Sequence, residues 1–255
     1  RCGSMFFLRA FVPIFVSALT CGAQVLVFPP YGHSYGIRKA TPAKLFMFFG
    51  PRTSFSNPQG IATAKMVSRD DTTTEHDDDE VVVYGVNNDR HQLIYNTSMW
   101  TLALFGKKGN GREEFLRPLG IAVDAHGNVY VADSGNDRIV HLFNPEHTVQ
   151  WKKSMRATGP DEGGLDRPTQ VALDSRGYVY VIDAGNRRVV VLDSAGTLLR
   201  VIHGTESNRF DGEISGLAVA DGRQRWSFFK GDRFFVCADR GGRRLWKFTL
   251  GGSFL

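Results

Sequence analysis

Three segments of this chain align with one another with few gaps, and this internal repeat limits the possible folds more than any other feature of the sequence. The first copy covers 118–143 and the second covers 168–193. The third covers 216–249 and contains one longer insertion. A period of about 40–50 residues made of short strands is typical of β-propellers, in which each repeat forms one blade that packs on its neighbours.

A fourth, more degenerate copy precedes these three. It begins at Asn57, is interrupted by an insertion and resumes at Val81. We assign the same repeat position to one arginine in each copy, namely Arg90, Arg138, Arg188 and Arg244. Four aligned copies predict four visible blades, which we interpret as part of a propeller.

Within each copy, four short runs of apolar or alternating residues are separated by Gly, Asn and Asp, which favour turns. In the most regular copy the predicted strands are 120–123, 129–133, 139–143 and 148–152. No run keeps a convincing helical period over about ten residues. The run 189–192 is apolar at every position, which indicates a sheet that is buried on both faces, as stacked blades are.

Residues 118–139 carry the pattern Pro-x-Gly-Ile-Ala-Val-Asp, a turn, and then Val-Tyr-Val-Ala-Asp-x-Gly-Asn-x-Arg-Ile. This pattern resembles the NHL repeat, and the resemblance extends over four copies near 55–114, 115–164, 165–209 and 210–255. It implies an all-β protein, a β-propeller of four-stranded NHL-type blades, with about four blades visible of an expected six. The same resemblance relates the fold to the amidating lyases and the lactonases.

The first 40 residues form a separate segment, and we assign the propeller to 41–255. A short basic start is followed by an uncharged apolar run over 10–28, with small residues up to Ala23, which is the pattern of a secretory signal peptide. We therefore expect an extracellular or secretory-pathway protein. A fragment boundary and a buried strand of a preceding blade are the alternatives, and without a signal peptide the protein would be cytoplasmic. Pro13 and Pro29 disfavour a stable membrane span.

The most regular polar residues of the repeat end one strand and begin the next. They recur as Asp, Asn and Arg, and this structural motif comprises Asp133, Asn136, Arg138, Asp183, Asn186, Arg188, Asp239 and Arg244. A catalytic or metal-binding role would require these side chains to converge at the propeller axis. Because scaffolding recurs in every blade and functional sites rarely do, we predict turns in which they hydrogen-bond the backbone and one another.

The sequence assigns no catalytic, cofactor-binding or metal-binding residue. Its seven histidines lack the spacing of a metal site, and it contains no nucleophile elbow, phosphate loop or dinucleotide motif. The resemblance to amidating lyases and lactonases leaves zinc or calcium on the propeller axis open. Cys237 lies in an apolar, strand-like run and is expected to be a buried, unreactive thiol.

Two insertions interrupt the same turn in two different copies. The first, 68–80, is dense in carboxylates and is expected to be solvated. The second, 221–232, is basic and aromatic, a combination that suits a protein contact or stacking on bases. Within it, the predicted partner-binding residues are Arg223, Arg225, Trp226, Phe228, Phe229 and Lys230.

Repeated scaffold residues, together with loops that differ between copies, favour a binding module. We expect a non-catalytic scaffold for a protein or peptide ligand, with no cofactor. The first alternative is a metal-dependent lyase or hydrolase of the amidating-lyase or lactonase type, and the second is a propeller that binds RNA. The net charge of +5 permits nucleic acid as a partner but does not favour it.

Overall fold

A computed structural model shows four antiparallel sheets in a propeller arrangement, which confirms the all-β prediction and the four visible blades. It describes residues 26–27, 38–39, 54–69, 81–97, 101–157, 163–205, 209–210, 213–222, 233–240 and 243–255. The chain divides into two units, 1–41 and 42–255. In the first unit, strand β1 (Leu26–Val27) pairs antiparallel with β2 (Arg38–Lys39). The blades belong to the second unit.

Each blade is an antiparallel meander whose strands lie side by side in chain order. Blade 1 comprises β3 (Pro58–Lys65), β4 (Val81–Asn87), β5 (Gln92–Asn96) and β6 (Leu102–Phe105). A short parallel pair follows, β7 (Lys107–Lys108) with β8 (Glu114–Phe115). Blade 2 comprises β9 (Pro118–Val123), β10 (Asn128–Asp133), β11 (Arg138–Phe143) and β12 (Gln150–Met155).

Blades 3 and 4 repeat this order. Blade 3 comprises β13 (Pro168–Leu173), β14 (Val179–Asp183), β15 (Arg188–Leu192) and β16 (Leu198–Ile202). Among the described residues, blade 4 has three strands rather than the expected four, namely β17 (Ile214–Ala220), β18 (Phe234–Asp239) and β19 (Arg244–Thr249). Within the described part of the chain, the helical elements are three 3₁₀ turns, Val67–Arg69, Asn88–Arg90 and Ser134–Asn136. No helix among the described residues is long and apolar enough to cross a membrane.

The first strands of successive blades lie next to one another, β3 beside β9, β9 beside β13 and β13 beside β17, so these strands are nearest the propeller axis. Their approach is close. A methyl group added to Gly60 would lie 2.6 Å from the Leu119 carbonyl oxygen, and one added to Gly120 would lie 2.6 Å from the Thr169 carbonyl oxygen. Blades 1 and 2 therefore need glycine at these two positions because two backbones meet there, whereas blade 3 has Gln170 at the equivalent position.

Apolar side chains fill the space between neighbouring blades in three clusters. Each cluster contains residues of two successive blades, for example Leu93 and Val140, Ile139 and Val190, or Val189 and Trp246. Cys237 belongs to the last cluster and is fully buried, as expected. Burial raises the pKa of its thiol to about 12, so the reactive thiolate is not populated at neutral pH.

The predicted outer strand of blade 2, 148–152, is displaced in the structure. β12 is Gln150–Met155, with Met155 paired to Ile139 and a bulge after His141. Met155 is buried between blades 2 and 3. Burial of this side chain keeps the strand in register beyond the predicted end.

The assignment of Arg90 to the arginine position of the repeat is wrong. The register pairs Asp133 with Arg138, whereas in blade 1 it pairs Asn87 with Gln92. Gln92 is therefore the equivalent of Arg138, and Arg90 lies in the 3₁₀ turn before it. Aligning the copies on arginine shifts blade 1 by two residues, because its turn happens to contain an arginine of its own.

Candidate binding cleft

A network of buried polar side chains joins the turn of blade 2 to the segment that enters this blade. The Asp133 carboxylate accepts hydrogen bonds from the Leu116 amide (2.7 Å), Asn136 Nδ2 (2.8 Å) and Arg138 Nε (2.8 Å). Asp133 is fully buried and Arg138 is 3% exposed. Burial raises the pKa of Asp133, and the three hydrogen bonds and the positive charge of Arg138 oppose that rise.

Arg138 also holds the loop that precedes blade 2. Its Nη1 donates to the Asn110 carbonyl oxygen (2.8 Å), and its Nη2 donates to the carbonyl oxygens of Gly111 (3.2 Å) and Glu114 (2.8 Å). The guanidinium carbon lies 5.2 Å from the centre of the Trp151 ring, within the range of a cation–π contact. One buried side chain thus positions both the 110–114 loop and the outer strand β12.

Blade 3 repeats the network. The Asp183 carboxylate accepts from the Asp166 amide (2.7 Å), Asn186 Nδ2 (2.9 Å) and Arg188 Nε (2.6 Å). Arg188 Nη2 donates to the Gly164 carbonyl oxygen (3.0 Å). In this blade, too, a buried arginine binds the backbone of the segment that leads into it.

The network differs in the two outer blades. In blade 4, Asp239 is buried and pairs in register with Arg244, but Arg244 is exposed. In blade 1, Asn87 and Gln92 occupy the equivalent positions. Asn87 accepts from the Ser56 amide (2.9 Å), which reproduces one contact of Asp133 without its charge.

A cleft of about 440 Å³ lies beside the network of blade 2. Its lining comprises Asn110, Gly111 and Arg112 from the loop, Trp151, Lys152 and Ser154 from β12, and Arg138. The Arg112 side chain is 74% exposed, and its Nε lies 3.9 Å from Glu113 Oε1. Trp151 is half-buried and Lys152 is exposed, so an aromatic ring and two exposed cations line the same opening.

The loop wall of the cleft is held in place before any ligand arrives. The Gly111 amide donates to Glu114 Oε2 (2.9 Å), and Lys107 Nζ lies 3.4 Å from Glu114 Oε1. The hydrogen bond from Gly111 lowers the pKa of Glu114. Asn136 Nδ2 donates to the Gly109 carbonyl oxygen (2.8 Å). A wall fixed by these contacts loses little conformational entropy on binding.

The six predicted partner-binding residues, 223–230, lie outside the described residues, and so does the acidic part of the first insertion, 70–80. Sequence reasoning missed the cleft. The sequence features that indicate the cleft are a glycine-rich basic loop over 107–112 and the Trp-Lys-Lys run of β12. These segments are far apart in sequence, so only the pairing of strands brings them together.

Metal-ligating side chains do not gather in the described part of the chain. No group of three or more His, Cys, Asp or Glu residues there lies close enough together to hold a metal ion. His141, for example, stacks on Tyr130 with ring centres 4.5 Å apart, and its Nε2 lies 3.0 Å from Asn128 Oδ1. These contacts belong to packing within blade 2.

Comparison with known proteins identifies one repeat of the chain and shows proteins with a similar fold. The model of the NHL repeat matches residues 115–142. No curated protein matches the sequence. Among solved structures, the chain is similar to a selenomethionine-substituted virginiamycin B lyase from Staphylococcus aureus (13% identity, TM-score 0.50) and to a streptogramin B lyase (14% identity, TM-score 0.50).

Both similarities cover 68% of this chain and 50% of the other chain. This chain therefore spans about half the length of these lyases. At such identities the likeness concerns the propeller fold, and a propeller fold hosts many unrelated functions.

Proposed function

We propose that this chain, an NHL-repeat β-propeller, is a non-catalytic scaffold that binds an acidic segment of a protein or peptide. The observation that carries the proposal is the cleft of blade 2, in which Trp151 and the exposed Lys152 of strand β12 share an opening with the exposed Arg112 of the loop. Aromatic residues and arginine are the side chains that contribute most to binding energy at protein interfaces.

The chemistry of the cleft favours binding over catalysis. Arg138, its one buried charge, already donates to Asp133 and to three backbone carbonyl oxygens. Arg112 and Lys152 are exposed, with Lys152 Nζ 4.7 Å from the centre of the Phe143 ring. Exposed cations of this kind select a ligand by charge. A ligand with carboxylates and one apolar or aromatic side chain would match both the cations and the face of Trp151.

Selection of peptides tests this proposal. A displayed library of random peptides is selected on the full chain, and we expect enrichment of sequences that combine Asp or Glu with an aromatic residue. Arg112→Glu and Lys152→Glu should each weaken binding of an enriched peptide by about tenfold, since each replaces attraction by repulsion near the ligand.

Arg240→Glu is the matched control for Arg112→Glu. Arg240 is equally exposed (76%) and likewise lies 3.9 Å from one glutamate, Glu213, but it is not part of the cleft. If Arg112→Glu and Arg240→Glu weakened peptide binding equally, the change in net charge would explain the effect. That result would refute the cleft as the binding site. Tighter binding of a single-stranded RNA oligonucleotide, with a steep loss of affinity in salt, would instead support the RNA-binding alternative.

The insertion 221–232 supplies a second proposed contact. It combines charge with aromatic rings, and it differs from the equivalent turn of every other blade. Arg225→Ala together with Trp226→Ala should reduce capture of the same peptide if the ligand reaches this loop. Unchanged capture would remove the loop from the site and leave the cleft as the contact.

Metal analysis separates the binding module from the lyase or hydrolase alternative. Purified protein is measured for zinc, calcium and magnesium after dialysis. A stoichiometric ion would favour the enzyme. We expect none, and we expect peptide binding to be unaffected by a chelator.

A further inference from the structure

The loop that lines the cleft contains the one Asn-Gly pair of the sequence, Asn110-Gly111. In such a pair the main-chain nitrogen of glycine attacks the side-chain amide carbon of asparagine and forms a cyclic succinimide, because glycine has no side chain to hinder the approach. Both residues are exposed. The hydrogen bonds of Asn110 use its main chain, and no described residue holds its side chain. The side chain is therefore free to turn toward Gly111 N.

The peptide bond between Asn110 and Gly111 is polarised at both of its ends. Arg138 Nη1 donates to its carbonyl oxygen (2.8 Å), and its N–H group, on Gly111, donates to Glu114 Oε2 (2.9 Å). A cation on the oxygen draws electron density from the nitrogen and makes the N–H more acidic, while the carboxylate is positioned to accept the proton. Because the attacking nitrogen must lose this proton, the two contacts that hold the loop also favour the reaction.

A second asparagine near the loop, Asn136, is held in a different way. Its Nδ2 donates to Asp133 Oδ2 (2.8 Å) and to the Gly109 carbonyl oxygen (2.8 Å). The residue that follows it is Asp137, whose side chain hinders an attack by its main-chain nitrogen. Asn136 is therefore an internal comparison for Asn110 within the same blade.

We propose that Asn110 converts to isoaspartate or aspartate without an enzyme, and that the conversion weakens binding of an acidic ligand in the cleft. The bond from Gly111 N to Asn110 Cγ forms as the Cγ–Nδ2 bond breaks. The proton of the Gly111 N–H passes to Glu114 and from there to the departing nitrogen, which leaves as ammonia. Water then opens the succinimide at either carbonyl. The net reaction consumes one water, releases one ammonia and needs no other reactant.

Both products place a new negative charge in the cleft. In isoaspartate the chain runs through the former side chain of Asn110, and the former main-chain carbonyl becomes a carboxylate. Arg138 Nη1 donates to the oxygen of that carbonyl, so in isoaspartate it binds a charged acceptor, which strengthens the hydrogen bond. Because Arg112 lines the same opening, the new charge offsets the attraction of the cleft for carboxylates. This effect on binding rests on the proposed function, whereas the conversion itself does not.

Peptide mapping by mass spectrometry tests the conversion, with the full chain incubated at neutral pH and physiological temperature. We expect Asn110 to convert well before Asn136. Glu114→Gln should slow the conversion about tenfold in the folded chain, since it removes the base, and should leave the rate unchanged in urea. Glu113→Gln is the matched control, because Glu113 is the neighbouring exposed carboxylate and lies beside Arg112. Conversion of Asn136 before Asn110, or an unchanged rate in folded Glu114→Gln, would overturn the inference.

Peptide binding before and after the incubation tests the consequence. The converted protein should bind an acidic peptide, enriched on the fresh chain, about tenfold more weakly, and Asn110→Asp should reproduce this loss. Asn110→Gln forms the ring slowly because of its longer side chain, so it should keep its affinity through the same incubation. Unchanged affinity of the fully converted protein would refute the effect on the cleft. If the fresh chain selects no acidic peptide, the proposed function fails, and mass spectrometry still decides whether Asn110 converts.

Discussion

Blades 2 and 3 have a neighbouring blade on both sides, whereas blades 1 and 4 have one neighbour each among the described residues. The repeat places similar side chains in all four, but the arginine that is buried in blades 2 and 3 is exposed in blade 4 and replaced by Gln92 in blade 1. The buried arginines bind the carbonyl oxygens of the segment that enters their blade. The environment of a repeat residue is therefore decided by what packs beside its sheet as well as by its own sequence.

The largest effect expected from this difference concerns the buried ion pairs. Arg138→Ala should lower the free energy of unfolding by about 3–5 kcal/mol, because it leaves the Asp133 carboxylate buried without its cation. Arg244→Ala removes an exposed side chain and should lower the free energy of unfolding by less than about 1 kcal/mol. Urea denaturation measures both, and equal losses would show that burial of the pair is unimportant.

Truncation of equivalent apolar residues sharpens the comparison. Ile121→Ala should lower the free energy of unfolding by about 2–4 kcal/mol, because it opens a cavity between blades 1 and 2. Ile61→Ala should change it by about 0.5 kcal/mol or less, since Ile61 is exposed. Thermal unfolding provides the measurement. A large loss for Ile61→Ala would mean that another part of the chain covers it.

The stability of blade 2 should depend on pH through His141. Burial and the charge of Lys153 lower the pKa of His141 to about 4. Below about pH 6.5 the unfolded chain binds a proton that the folded chain does not, so stability falls as the pH drops from about 6.5 to 4, by up to about 3 kcal/mol. In blade 3 the equivalent residue is Val191, and His141→Val should flatten this part of the pH profile. An unchanged profile in the variant would assign the acid sensitivity to other groups.

The smallest effect concerns two glycines at the same position of the repeat. Gly120→Ala should lower the free energy of unfolding by about 1–3 kcal/mol, because its methyl group would meet the backbone of blade 3. Gly216→Ala should change the free energy of unfolding by about 0.5 kcal/mol or less, since its methyl group would make an ordinary van der Waals contact with Ala238 Cβ. Similar losses at both sites, measured by thermal unfolding, would contradict the open position of Gly216.

The architecture could be predicted because the repeat is periodic and its turns are marked by Gly, Asn and Asp. The spacing from Asp133 to Arg138 predicted a hairpin turn, and the structure pairs these residues in register. The error at Arg90 shows the limit of this reasoning. Arg90 shares its residue type with Arg138, but the register depends on the pairing of β4 with β5, which places Gln92 opposite Asn87.

The cleft could not be predicted because it unites segments about 40 residues apart in the chain, the 110–112 loop and strand β12. Neither segment has a recognisable motif. The predicted contact loop 221–232 is the opposite case, since its composition is distinctive but residues 223–232 lie outside the described part of the chain.

The sequence by itself determined that this chain is a row of β-propeller blades, because short strands with turn residues at a regular period leave few other ways to bury both faces of each sheet. Tertiary structure decided which copies of each repeat residue are buried. Ile121 and Ile61 follow the same Pro-x-Gly motif, yet one is in a core and the other is in solvent. Burial depends on the presence of a second sheet about 10 Å away, and that neighbour is a property of the assembled blades rather than of the repeat.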